Sequence, residues 1–155
     1  MNNDSLKNFR NQLLNQLNKF KTYKALALFL NISDDTLKSW FNGHRIPTLR
    51  TIDKISDKIG CYSWEIISTN TPNSGKIVVN DSHSNFSKNI KMIFIEKQCF
   101  LMVKKLNLLN HCITDLMLTS YLRSDNYRMP TLSNLDNIAN ELGIESYKLI
   151  MEESL

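Results

Sequence analysis

The chain has 155 residues, a formal net charge of +4 and a hydrophobic fraction of 42%, which suits one ordinary domain or two small ones. Its three cysteines, Cys61, Cys99 and Cys112, show no CxxC spacing, and no apolar run approaches the roughly 20 residues that span a bilayer. The first residues also lack the pattern of a secretory signal, so the sequence argues against a membrane protein or a secreted disulfide scaffold and predicts a soluble, cytoplasmic protein.

Hydrophobic residues at helical spacing predict five short helices in the first half of the chain. Residues suited to helix N-caps precede three of them: Asp4 or Ser5, Ser33 and Thr48. Residues that tolerate a left-handed backbone stand where helices should end: Asn31, Gly43 and Gly60. Five short helices joined by tight turns predict a small all-α domain.

The stretch from Ile32 to Pro47 recurs as residues 113–130, at an offset of 81 that becomes 83 after the third helix. The residues behind it recur as well: Thr48-Leu49, Asp53, Ile55, Gly60, Ser63 and Ile67 become Thr131-Leu132, Asp136, Ile138, Gly143, Ser146 and Ile150. Matched positions of this kind predict a duplicated unit. We therefore expect two helical domains, at residues 1–68 and 86–155, joined by a polar linker at 69–85.

Charge differs between the two halves. Residues 1–70 hold ten Lys and Arg against six Asp and Glu, whereas residues 71–155 hold nine against nine. An anionic partner is therefore expected to meet the first half.

Two short helices that meet at a tight turn, the second of them capped by Ser33, describe a helix-turn-helix. The buried, capping and turn residues resemble the Cro/lambda-repressor (XRE-like) family. The resemblance is carried by Leu26-Ala27, Leu30-Asn31-Ile32-Ser33, Leu37, Trp40, Asn42-Gly43, Pro47, Leu49, Ile55, Ile59-Gly60 and Ile66. It covers about residues 5–67 and, more weakly, about 113–151. It implies a transcriptional regulator, a dimeric repressor that binds double-stranded DNA at a palindromic operator with its third helix in the major groove.

Carried over position by position, the resemblance implies two sets of DNA-contacting residues. The base-facing set is Ser33, Asp34, Asp35, Lys38 and Ser39, and the phosphate-facing set is Tyr23, Lys24, Asn42, His44, Arg45 and Arg50. Asp34 and Asp35 depart from the Gln, Arg or Ser/Thr that the family often has there. A carboxylate can accept a hydrogen bond from cytosine N4 but is repelled by phosphates. Alternatively, the two carboxylates only favour the N-terminus of their helix through its dipole.

The second copy replaces the polar face of this helix. Leu116 and Met117 stand where the first copy has Asp35 and Thr36. Exposed Leu and Met suit a protein surface better than base edges, so we predict a dimer or partner surface at Leu116 and Met117. The alternative is that the helix turns these side chains into its own core.

Two arrangements would supply the pair of reading helices that such proteins need. We favour two chains joined through their second domains. The rival is a pseudo-dimer inside one chain, with each copy meeting one half-site. The neutral charge and lost polar face of the second copy argue against the rival.

A protein-binding inhibitor or adaptor on this scaffold is the alternative function, as in phage anti-CRISPR proteins, antirepressors and antitoxins, some of which also repress their own operon. An enzyme is disfavoured, because the sequence contains no GxGxxG, GxxxxGK[ST] or GxSxG motif. The three histidines, His44, His83 and His111, form no metal-ligand spacing. We expect no cofactor and no metal.

Overall fold

The computed structural model describes residues 4–69, 78–96, 114–121, 123 and 128–152. Within these ranges the elements are helical, which confirms the predicted all-α class. They are α1 (Ser5–Phe20), α2 (Tyr23–Leu30), α3 (Asp34–Phe41), α4 (Leu49–Ile59), α5 (Ser63–Ile67), α6 (Ser82–Glu96), α7 (Asp115–Tyr121), α8 (Leu132–Leu142) and a 3₁₀ helix (Ser146–Leu149). An isolated antiparallel bridge joins Thr48 to Thr131.

The helix ends of the first half follow from their capping residues. Asp4 and Ser33 each accept the N–H three residues later at 3.1 Å, as predicted for α1 and α3. Asn31 takes the left-handed conformation at φ 56°, which turns the chain between α2 and α3, and Gly60 ends α4 at φ 77°. Thr48 precedes α4, but its side chain makes no capping hydrogen bond.

The inner face of α3 is held in the core of the first half. Leu37 is fully buried, and the Trp40 ring stands edge-on to Phe9 of α1 at 5.7 Å. Burial of a large apolar side chain stabilises a fold by about 1.5–3 kcal/mol. Because these contacts fix the inner face of α3, its outer face stays open to solvent.

The second helical unit begins earlier than predicted. α6 starts at Ser82, inside the expected linker 69–85 and before the expected domain start at residue 86. The Asp81 carboxylate accepts the N–H of Ser84 at 3.1 Å, so a polar run that resembles a linker is the capped start of a helix.

The two halves pack against each other. α1 contacts α8, α4 contacts α6, and α5 contacts the 3₁₀ helix. Buried apolar side chains from both halves form one hydrophobic cluster. α3 is therefore carried by a body that includes the second half. No helix among the described residues is long and apolar enough to cross a membrane.

Candidate nucleic-acid interface

The first turn of α3 carries an ion pair. Lys38 Nζ lies 2.6 Å from Asp34 Oδ2, one helical turn apart, and both side chains are exposed. The hydrogen bond and charge of Asp34 raise the pKa of Lys38 above its ordinary value. The charge of Asp34 is thus largely compensated on the helix itself.

Asp35 and Ser39 lie one turn apart on α3. Asp35 is exposed, whereas Ser39 is half-buried and its hydroxyl donates to the Asp35 carbonyl at 2.7 Å. The Ser39 oxygen can still accept a hydrogen bond from outside. Ser33 is exposed too, but its hydroxyl caps the helix and lies 2.8 Å from the Thr36 hydroxyl. The predicted base-facing residues therefore lie on α3 and at its N-cap, where Ser33 is engaged as the cap and Asp34 and Lys38 are engaged with each other.

The loop after α3 is folded back onto the helix end. The N–H groups of His44 and Arg45 both point to the Ser39 carbonyl, at 2.9 and 3.3 Å. Gly43 makes this turn possible with φ 79°. Asn42, His44 and Arg45 are all exposed, so three predicted phosphate-facing side chains project from the C-terminal end of α3.

The start of α2 packs against the same end of α3. The Tyr23 ring stands at 90° to Phe41, with centroids 5.5 Å apart. Lys24 follows it and is exposed. Arg50 is also exposed but lies in the first turn of α4.

Arg10 on α1 holds the C-terminal end of α3 and was missed by sequence reasoning. Its Nε donates to the Trp40 carbonyl at 2.8 Å. Its guanidinium also lies so close to Gly43 that an added Cβ there would be 3.0 Å from Nη2. A cation at a helix C-terminus is favourable. Nothing in the local pattern of α1 signals this contact.

We expect Arg10→Ala to lower the free energy of unfolding by about 1–2 kcal/mol, because the Trp40 carbonyl loses a charged donor. Urea denaturation of the full chain measures the loss. Lys19→Ala, at an exposed position of the same helix, is the matched control. Equal losses for the two variants would contradict the role of Arg10.

α7 in the second half begins after a capping threonine and packs its inner side chains on the core. The Thr114 hydroxyl accepts the N–H of Met117 at 3.2 Å, and Leu118 and Tyr121 are buried. Met117 is half-buried against the core, which agrees with the alternative in which α7 turns part of this face inwards. The side chain of Leu116 lies outside the described residues.

The remaining titratable candidates do not form a reactive centre within the described residues. Burial raises the pKa of the Cys61 thiol to about 11, so the group stays protonated. Cys61 is fully buried, whereas Cys99, Cys112 and His111 lie outside the described residues. No group of three or more His, Cys, Asp or Glu side chains in the described part could hold a metal ion.

The α2–turn–α3 geometry, with the outer face of α3 exposed, is that of a helix-turn-helix. Residues 12–66 match the family model described as helix-turn-helix. The XRE-like resemblance of the first half is thereby confirmed, and the match does not extend to the second half. No curated protein and no solved structure matches the sequence.

Proposed function

We propose that this protein is a sequence-specific DNA-binding transcriptional regulator. The observation that carries the proposal is the exposed outer face of α3 in a helix-turn-helix domain, bordered by exposed basic and polar side chains. The major groove of DNA admits an α-helix of this kind. Occupying an operator excludes polymerase without further machinery, which favours a repressor.

The charges around α3 suit this function. Lys24, His44 and Arg45 are exposed at one end of the helix and would meet phosphates. Lys38 pairs with Asp34 at 2.6 Å and lies close enough to Asp35 for their charges to interact, while Asp35 itself is exposed. A single carboxylate is compatible with a DNA interface where it accepts from cytosine N4. We assign base contacts to Asp35 and Ser39 on this ground.

A gel-shift titration of the full chain tests the proposal. The probes are duplexes selected from a library with a randomised centre, in the presence of random competitor DNA. We expect binding that resists the competitor and falls by about 10³-fold or more between 50 and 200 mM salt, if about six phosphates are contacted. Binding that competitor DNA abolishes would overturn the proposal.

Arg45→Ala and Ser39→Ala are expected to separate the two kinds of contact. Arg45→Ala should weaken binding on all sequences alike and flatten the salt slope by about one unit, since a phosphate contact is lost. Ser39→Ala should cost about 1–3 kcal/mol on the selected sequence and change base preference without flattening the slope. Uniform losses on every sequence for both variants would remove the assignment of Ser39.

Protein binding on the same scaffold is the second candidate function. The observation that favours it is the exposed apolar surface of α2, where Leu28 is 81% exposed and Phe29 is 37% exposed. The proposed DNA contacts use neither side chain, so this surface is available to a protein partner. Leu28→Ser should then leave DNA affinity unchanged and abolish recovery of a partner in pull-downs. Recovery that does not depend on Leu28 would leave this surface without a role.

A further inference from the structure

The two halves contact each other through equivalent backbone positions. The N–H of Leu49 donates to the Pro130 carbonyl at 3.1 Å, and the N–H of Leu132 donates to the Pro47 carbonyl at 3.1 Å. Pro47 and Leu49 correspond to Pro130 and Leu132 at the offset of 83. The bridge is therefore reciprocal, because each half donates to the other the same backbone hydrogen bond that it accepts.

Two carboxylates repeat this reciprocity. Asp53 on α4 accepts the N–H of Ser82, the first residue of α6, at 3.2 Å. Asp136, at the equivalent position of α8, accepts the N–H of Ser5, the first residue of α1, at 2.9 Å. Each carboxylate also accepts a serine hydroxyl ten residues further along its own half, at 2.6 Å. Each half thus holds the first helix of the other.

An aromatic pair marks the centre of the contact. Trp64 of α5 faces Tyr147 of the 3₁₀ helix, with ring centroids 6.2 Å apart. The two residues occupy the same position of the two halves, at the offset of 83. A residue meets its own counterpart only close to a two-fold axis.

Inside each half, α1 and α6 have the same roles. Asn8 Nδ2 donates to the Ile67 carbonyl at 3.0 Å, and Asn85 Nδ2 donates to the Ile150 carbonyl at 3.2 Å. The edge-on ring pairs also recur: Phe9 with Trp40 at 5.7 Å, and Phe86 with Tyr121 at 6.4 Å. α7 is therefore seated on α6 as α3 is seated on α1.

Contacts in which residue i meets j and j meets i are those of an isologous, two-fold interface. A two-fold relation that exchanges α1 with α6 and α4 with α8 also exchanges α3 with α7. Dimeric helix-turn-helix proteins use this symmetry to read two half-sites about 34 Å apart. We infer that one chain is an intramolecular pseudo-dimer in which α7 takes the place of a second chain's α3, so that a single copy binds an operator with two unlike half-sites.

This inference rests on the proposed function and replaces the expected homodimer on a palindrome. The surface around Thr48 and Trp64 is already covered by the second half of the same chain. At the position of Arg50, one of the predicted phosphate-facing residues, α8 carries Ser133. The half-site beneath α7 should therefore contribute less charge-dependent affinity than the one beneath α3.

Stoichiometry and footprint on the selected duplexes test the arrangement. We expect one full-length chain per duplex and two protected patches about 34 Å apart on one face of the DNA. The preferred sequences of the two patches should differ. Two chains on one palindromic duplex would overturn the pseudo-dimer while leaving the proposed function intact. Absence of any sequence preference would overturn the proposed function itself.

A gain of charge on α7 supplies the second readout. Thr119→Lys should tighten binding and steepen the salt slope by about one unit, because it adds a cation at an exposed position of α7. Asn18→Lys adds the same charge at an exposed position of α1 and should leave the slope unchanged. Equal slopes for the two variants would mean that α7 does not face the DNA and would overturn the inference.

Discussion

Asp136→Ala is expected to lower the free energy of unfolding by about 2–4 kcal/mol. The carboxylate is buried and accepts the N–H of Ser5 at 2.9 Å and the hydroxyl of Ser146 at 2.6 Å. Its removal takes the acceptor from the buried N–H of Ser5 and one acceptor from the Ser146 hydroxyl, and a buried donor that loses its partner costs about 1–3 kcal/mol. Urea denaturation followed by circular dichroism measures the loss.

The matched control is Asp35→Ala, which removes a carboxylate from an exposed helix position and should cost less than about 1 kcal/mol. Asp53→Ala should fall between the two. Burial raises the pKa of Asp53, opposed by hydrogen bonds from Ser63 and Ser82, so the cost of keeping it ionised offsets part of what those bonds contribute. A loss at Asp136 no larger than that at Asp35 would contradict the role of the carboxylate between the halves.

The distance in sequence between Asp136 and Ser5 explains what the sequence could and could not predict. Helix ends were predictable because caps act within three or four residues: Ser33 starts α3, and Asn31 and Gly60 take left-handed conformations as expected. The recurrence of Asp53 as Asp136 was visible as well. The N–H groups that donate to these two carboxylates are 29 and 131 residues away in sequence. A local pattern contains no sign of so distant a partner, so the contact between the halves could not be predicted.

The residues of the candidate DNA interface likewise include some that the sequence could predict and some that it could not. Exposure of Asp35, His44 and Arg45 follows from their place in a helix-turn-helix pattern. The hydrogen bond from Arg10 to the end of α3 could not be predicted from that pattern, because it depends on how α1 crosses α3. The start of α6 was missed for a different reason, since an Asp81 cap and a polar linker have the same composition.

Asp35→Asn is expected to change the base preferred beneath α3. A carboxylate accepts from cytosine N4, whereas an Asn side chain offers the donor and acceptor that match adenine N6 and N7. We expect the preference at one operator position to move from cytosine to adenine by about 1–3 kcal/mol, which is about 5–150-fold. Competition between duplexes that differ at this position measures the change.

The substitution also removes a negative charge, which would tighten binding on every sequence alike. Glu152→Gln makes the same charge change at an exposed position outside α3, and the preference between duplexes cancels any uniform effect. If Asp35 serves only the dipole of α3, Asp35→Asn will lower stability by less than about 1 kcal/mol and leave base preference unchanged. A preference that moves to adenine would instead place Asp35 against the base edges, and with it the outer face of α3 in the major groove.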